Sequence, residues 1–218
     1  MYFCRRSSAD GTVSRYRPDI KIGALKLRKI CEACNNGWMS RLEGRVKPLI
    51  TGLIKKERSI RSLDDDERQT IARWAGKTAI IESRTVPAEH PVDRRILHWM
   101  REHENGSPGR FAVAACSYAL GALCHFQVGF NVPLIAGGQI SGSVVVLGIS
   151  NLILTCAFPI PELSYDCKCD LEVFQPLWPH PRSWKAMGRT FQPLPGTMQP
   201  EDALFEFAER VELFQSAE

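Results

Sequence analysis

The chain predicts an α+β fold, and three features of its 218 residues carry that reading. Between residues 40 and 103, apolar side chains recur at three- and four-residue intervals, the period of helices with one buried face. From Phe111 the pattern changes to short, β-branched-rich runs separated by glycine, proline and asparagine, which reads as an antiparallel meander. A final amphipathic stretch from about Pro200 reads as a helix.

A basic segment with alternating Ile20, Ile22, Leu25 and Leu27 reads as one or two strands leading to Cys31-Glu32-Ala33-Cys34. A helix is expected next. Ser40 followed by Glu43 is a capping-box pair, and Leu42, Val46, Leu49, Ile50, Leu53 and Ile54 form an apolar stripe beyond it. Strand, cysteine turn and helix together make a treble-clef-like unit.

The second helix is expected to start near Ser62 and Asp65, with Asp64, Asp65, Asp66 and Glu67 at its positive end, and to run to about Glu82. Its apolar side is Ile71, Trp74, Ala75, Thr78 and Ala79, and Lys77 and Glu82 read as plain surface charges. A third helix is expected from Pro91 to about His103, with Val92, Ile96, Leu97 and Met100 as its stripe and Asn105-Gly106 as its stop. His90, His98 and His103 read as ordinary exposed or neutral histidines.

Four strands follow, over Phe111–Ser117, Ala122–Phe130, Ser141–Gly148 and Leu152–Phe158. Val144–Ile160 is apolar, but Gly148, Ser150, Asn151 and Pro159 interrupt it well short of the ~20 apolar residues a membrane helix needs. It reads as a buried hairpin. Pro176–Pro181 and Pro193–Gly196 mark an irregular connection in which Trp178 and Trp184 cover the core. The C-terminal helix would place Leu204, Phe207, Ala208, Val211 and Phe214 on one side. The expected organisation is a basic unit over residues 1–60 and an α+β domain over 61–218.

Net charge is +4, but it is unevenly distributed. Residues 1–60 carry +9, residues 61–110 carry 0 and residues 111–218 carry −5. Basic side chains around the cysteine turn, Arg28, Lys29, Arg41, Arg45 and Lys47 among them, are suited to neutralising phosphates without regard to sequence. Eight cysteines without an apolar leader fit a reducing cytoplasm and metal or free thiols better than a disulfide framework. Gly137-Gly138 lacks the Gly-Lys-Ser/Thr of a phosphate loop, and the chain has no Gly-x-Ser-x-Gly elbow.

Two thiols three positions apart can grip one metal ion, so Cys31 and Cys34 are half of a zinc site, and a structural zinc needs four ligands. Cys4 is one candidate to complete it. The other is the pair Cys167 and Cys169, whose i, i+2 spacing shares a face in extended chain but lacks the turn that presents amides to both sulfurs. The bland alternative is an incomplete, vestigial site. Cys116, Cys124 and Cys156 lie in apolar runs and read as small core residues.

Cys31-x-x-Cys34-Asn35, Gly37-Trp38-Met39-Ser40 and Leu42-Glu43 resemble the second half of the HNH-endonuclease-like proteins of bacteria and their phages. The likeness extends more weakly through Ala72-Arg73-Trp74-Ala75 to Ala79, covering roughly residues 20–85. It implies a ββα-metal unit, zinc held by the cysteines, nucleic acid as partner, and phosphodiester cleavage assisted by magnesium or another divalent ion. In the family a front half supplies another Cys-x-x-Cys and the histidine that activates water. Upstream of Cys31 this sequence has Cys4 and no histidine, which leaves Asn35 as the candidate catalytic residue. If Met1 is the start, the chain resembles a truncated HNH protein, with endonuclease activity expected only if the front half is supplied. The competing expectation is a noncatalytic module that binds another protein and keeps the cysteine turn as a scaffold.

Overall fold

The computed structural model describes residues 2–6, 13–16, 30–83, 92–104, 106, 111–133, 139–158, 165–169, 173–179, 184–186 and 211–215. It is a mixed α+β fold. Short strands β1 (Tyr2–Arg6) and β2 (Val13–Tyr16) precede helices α1 (Glu32–Cys34), α2 (Ser40–Ile54), α3 (Asp65–Glu82) and α4 (Arg95–Glu102). Six strands follow: β3 (Ala112–Pro133), β4 (Gln139–Phe158), β5 (Tyr165–Cys169), β6 (Gln175–Trp178), β7 (Trp184–Ala186) and β8 (Val211–Gln215).

The first helical segment begins earlier than the capping-box reading placed it. Cys31 is the cap, α1 passes into a π-helical turn over Asn35–Met39, and Ser40 is already helical at φ −62° and ψ −41°. The run kinks at Gly37, whose φ of −92° and ψ of −114° leave the helical region. Glu43 is thereby free of a capping role and turns to Lys77 on α3. The apolar stripe of α2 is as expected, with Leu42, Val46, Ile50 and Leu53 buried and Leu49 and Ile54 packed beside them. Pro48 removes one helical hydrogen bond, on the solvent face, where water can take the freed carbonyl.

Helix α3 ends at Glu82 as the sequence predicts, but its capping box lies two residues further along. The Glu67 amide donates to Asp64 Oδ1 at 2.8 Å, and the Asp64 amide donates to Glu67 Oε2 at 3.1 Å. Ser62 instead sits in a 3-10 turn, Ile60–Ser62. Lys77 is not a surface charge: it is 4 % exposed, with Nζ donating to Glu43 Oε1 at 2.5 Å. Glu82 is half-buried, and desolvation pushes its carboxyl above the usual range. Helix α4 is shorter than the expected Pro91–His103, because the Asp93 carboxylate accepts the Arg95 amide and starts the helix there. Val92 is still buried, ahead of that first turn.

The four-strand meander is instead one long hairpin. β3 and β4 pair antiparallel from Ala112↔Ala157 to Pro133↔Gln139, with a single register shift between Ser117 and Ala122. The break signals at Gly121 and Ser150-Asn151 thus mark a bulge rather than turns, with the extra residues on β3 and Ser150 opposite them on β4 in the left-handed conformation at φ 59°. The other edge of β3 is shared. β1 joins it in parallel at Cys124–Val128, and β6 joins it antiparallel at Val113–Ala115, giving the order β2-β1-β3-β4 with β6 off that path. Pro176-Leu177-Trp178, expected in an irregular connection, is therefore an edge strand, a position that tolerates proline.

The second sheet has the order β7-β5-β8. Val211–Gln215 is a strand paired antiparallel with Tyr165–Cys169, not the end of a helix. Five residues rich in Val, Leu and Phe fit either period when read locally, and the pairing partner decides. The expected start of that helix near Pro200 lies outside the described residues, as do the strand expected at Ile20–Leu27 and the Gly137-Gly138 turn.

One core joins these parts. Trp38, Met39, Leu42, Val46, Ile71, Ala75, Ala79, Ile96, Met100 and Phe111 pack against Val113, Val145, Leu152, Leu154 and Phe158 of the hairpin. The rings of Phe111 and Phe158 stack with centroids 5.4 Å apart. Cys116 and Cys156 are buried among these strands as small apolar groups, and burial raises the Cys156 thiol far above its ordinary range. No helix among the described residues is long and apolar enough to cross a membrane.

Candidate metal and nucleic-acid site

A cysteine can cap a helix because its sulfur accepts from free amides of the first turn. Cys31, at φ −68° and ψ 148°, does so: its Sγ accepts the Cys34 amide at 3.3 Å, and its carbonyl accepts the amides of Cys34 and Asn35 at 3.1 and 3.0 Å. The turn therefore brings the two side chains together, with Cys31 exposed and Cys34 half-buried. The interaction between the two thiols holds Cys31 below the ordinary thiol range and Cys34 above it. The positive charge of Arg101, on α4, favours the thiolate form of both.

Beneath the turn lies Trp38, four residues after Cys34 and 4 % exposed. Its Nε1 is buried without a hydrogen-bond acceptor. The indole faces Cys34, whose thiolate it favours. Asn35, the candidate catalytic residue, is exposed, and its Nδ2 donates to Asn36 Oδ1 at 3.4 Å.

Two sulfurs sharing one turn are half of the four-ligand set that a structural zinc needs. These residues supply two ligands. Among the described residues no group of three or more His, Cys, Asp or Glu forms a metal-holding cluster. The candidates to complete the set are placed on strands, Cys4 in β1 and Cys167 and Cys169 in β5.

The basic residues near the turn form a defined surface. Arg41 and Arg45 are exposed one turn apart on α2. Arg41 makes a two-pronged pair with Glu104, Nε to Oε1 at 2.8 Å and Nη2 to Oε2 at 2.7 Å. The hydrogen bonds from Arg41 hold the Glu104 carboxyl below its usual range, and the charges of Arg45 and Arg73 act in the same direction. Arg73 is buried and donates to the carbonyls of Met100 and Gly106, each at 2.7 Å, tying the end of α4 to α3. That tie helps hold Arg101 within electrostatic reach of the cysteines. On the same helix the Trp99 and His103 rings stack at 4.2 Å with 11° between planes, and His103 Nδ1 lies 2.9 Å from the Trp99 carbonyl oxygen. Lys47 is exposed but, two residues on from Arg45, is turned roughly 200° around the helix from it. Arg28 and Lys29 lie outside the described residues.

The sequence reading singled out the cysteine pair, Arg41 and Arg45, but not Trp38, Arg101, Glu104 or the Trp99–His103 stack. Trp38 was within the motif that singled out the cysteines. Arg101 and Glu104 carry no local signal, because only the packing of α4 brings them here. No protein-family profile, curated protein or solved structure matches the chain.

Proposed function

We propose that this chain is a zinc-associated, nucleic-acid-binding protein of the HNH-endonuclease-like kind, acting in the reducing cytoplasm. One observation carries the reading. An exposed Cys-x-x-Cys helix start lies within electrostatic reach of the Arg101 guanidinium and is followed on α2 by exposed Arg41 and Arg45. Bound zinc would clamp the start of α2 through the Cys31 and Cys34 thiolates and so fix the basic face relative to the turn. Arg41 and Arg45 would meet backbone phosphates, with Arg41 exchanging the Glu104 carboxylate for a phosphate of similar two-pronged geometry. The Trp99–His103 stack offers a flat surface for an unpaired base. The described residues assign no base for attack on phosphorus, so cleavage is not part of the proposal.

The test is fluorescence anisotropy with a labelled DNA duplex and a labelled single strand, read across a salt series. Binding should weaken with salt, and an Arg41→Ala, Arg45→Ala, Arg101→Ala triple variant should flatten the logarithmic salt slope for duplex by up to about 0.9 for each phosphate left unneutralised. Binding absent at low salt, or equal in the triple variant, overturns the reading.

A further inference from the structure

Two thiols in one turn are also the two halves of a disulfide, and that chemistry needs no metal. The geometry of the turn permits it. Glu32 and Ala33, between the two cysteines, are helical, so the Cα atoms of Cys31 and Cys34 stand about 5 Å apart. A disulfide spans Cα separations of about 4.4–6.8 Å, so the bond can close without unwinding the turn. The Cys34 amide donates to the Cys31 carbonyl at 3.1 Å and to Cys31 Sγ at 3.3 Å, which keeps that sulfur against its potential partner residue. Both thiols are free, Cys31 exposed and Cys34 half-buried. A reagent in solution therefore meets Cys31 first, with Cys34 held behind it.

Cys116 and Cys156 do not share these conditions, being 2 % and 0 % exposed. Cys156 lies opposite Val113, three residues from Cys116 on β3, so the two are about 10 Å apart along the strands and on opposite faces of the hairpin. They cannot join each other.

We infer that Cys31 and Cys34 form a redox-active pair that undergoes thiol–disulfide exchange with low-molecular-weight disulfides. Cys31 releases its proton to solvent and its sulfur attacks one sulfur of the disulfide; the new S–S bond forms as the old one breaks, and one thiolate leaves. Cys34 then releases its proton and attacks the Cys31 sulfur, expelling the second thiolate and closing the Cys31–Cys34 bond. The pair loses two electrons and two protons, and one disulfide becomes two thiols. This activity goes beyond the metal reading and does not depend on it.

The experiment uses the full chain, reduced and stripped of metal by a chelator, with glutathione disulfide as the probe. Free thiols are then blocked by alkylation, and the linked cysteines are identified by peptide mapping and mass spectrometry. The expected product is a Cys31–Cys34 bond that excess reduced glutathione reopens. Cys34→Ser should instead accumulate glutathione on Cys31, because the second attack is lost, and Cys31→Ser should lose capture at this turn. Cys31 and Cys34 left as thiols, held as two separate glutathione adducts, or joined to other cysteines would overturn the inference. If a variant does not fold, the map of the unaltered chain decides alone. Because the metal is removed beforehand, none of these results bears on whether the chain binds zinc, which its metal content as purified reports separately.

Discussion

Gly44 and Gly76 occupy equivalent positions in principle, each in the interior of a helix, yet their replacement by alanine should have opposite signs. Alanine in place of glycine favours a helix interior by about 1 kcal/mol. At Gly44 an added Cβ meets nothing within 4 Å, so Gly44→Ala should stabilise the protein by about that amount. At Gly76 the Cβ would lie 2.5 Å from both Cε2 and Cζ of Phe111. Phe111 has no exposed surface, and its ring stacks on Phe158, so it has nowhere to withdraw. Overpacking costs about 1–3 kcal/mol, and a rigid ring met at two atoms belongs at the upper end. Setting the helix gain against it leaves Gly76→Ala less stable by about 2 kcal/mol. At about 2–4 °C per kcal/mol for a chain of this size, Tm should fall by about 4–8 °C in Gly76→Ala and rise by about 2–4 °C in Gly44→Ala. Urea and thermal unfolding followed by circular dichroism measure both, and adding Phe111→Leu to Gly76→Ala should recover part of the loss through coupling between the two sites. A Gly76→Ala variant as stable as the parent would refute the packing described between α3 and the hairpin.

Two further outcomes follow from the ion pairs. Glu43→Ala should cost about 2 kcal/mol, because it strips Lys77 of a partner while the ammonium stays buried, whereas Lys77→Met should be close to neutral, since Glu43 is half-exposed and water can serve it; chemical unfolding of both variants reads the asymmetry, and equal losses would contradict it. Glu67 is held below the usual carboxylate range by Arg58, whose guanidinium donates to it at 2.6 and 2.8 Å. A carboxylate depressed by folding contributes stability above its unfolded pKa and loses it as pH falls through the folded value. Glu67→Gln should therefore narrow the gap in stability between pH 7 and the acid limb, and an unchanged pH profile of unfolding would contradict the pairing.

The parts of the fold legible in the sequence are those that a local period determines. Leu42, Val46, Ile50 and Leu53 announce the buried face of α2, and Ile71, Ala75 and Ala79 that of α3, because helical spacing depends on no distant residue. The hairpin was legible as strand but not as one hairpin. Gly121 and Ser150-Asn151 give the same local signal for a bulge as for a turn, and only the continuous β3–β4 register separates the two. Val211–Gln215 and Gln175–Trp178 are strands because β5 and β3 offer them edges, a nonlocal fact. Lys77 was misplaced for the same reason, since its counter-charge sits 34 residues earlier on another helix. At the candidate site, the cysteine spacing was visible from the chain alone. The approach of Arg101 was not, because it depends on Arg73 holding the end of α4 by the carbonyls of Met100 and Gly106.

The most direct measurement is the metal content of the purified chain, by elemental analysis under reducing conditions, beside a Cys31→Ser, Cys34→Ser double variant. Zinc that copurifies in stoichiometric amount with the parent and is absent from the double variant is the predicted result. A parent chain that holds no zinc, even after zinc is supplied to the reduced protein, would contradict the assignment of Cys31 and Cys34 as metal ligands.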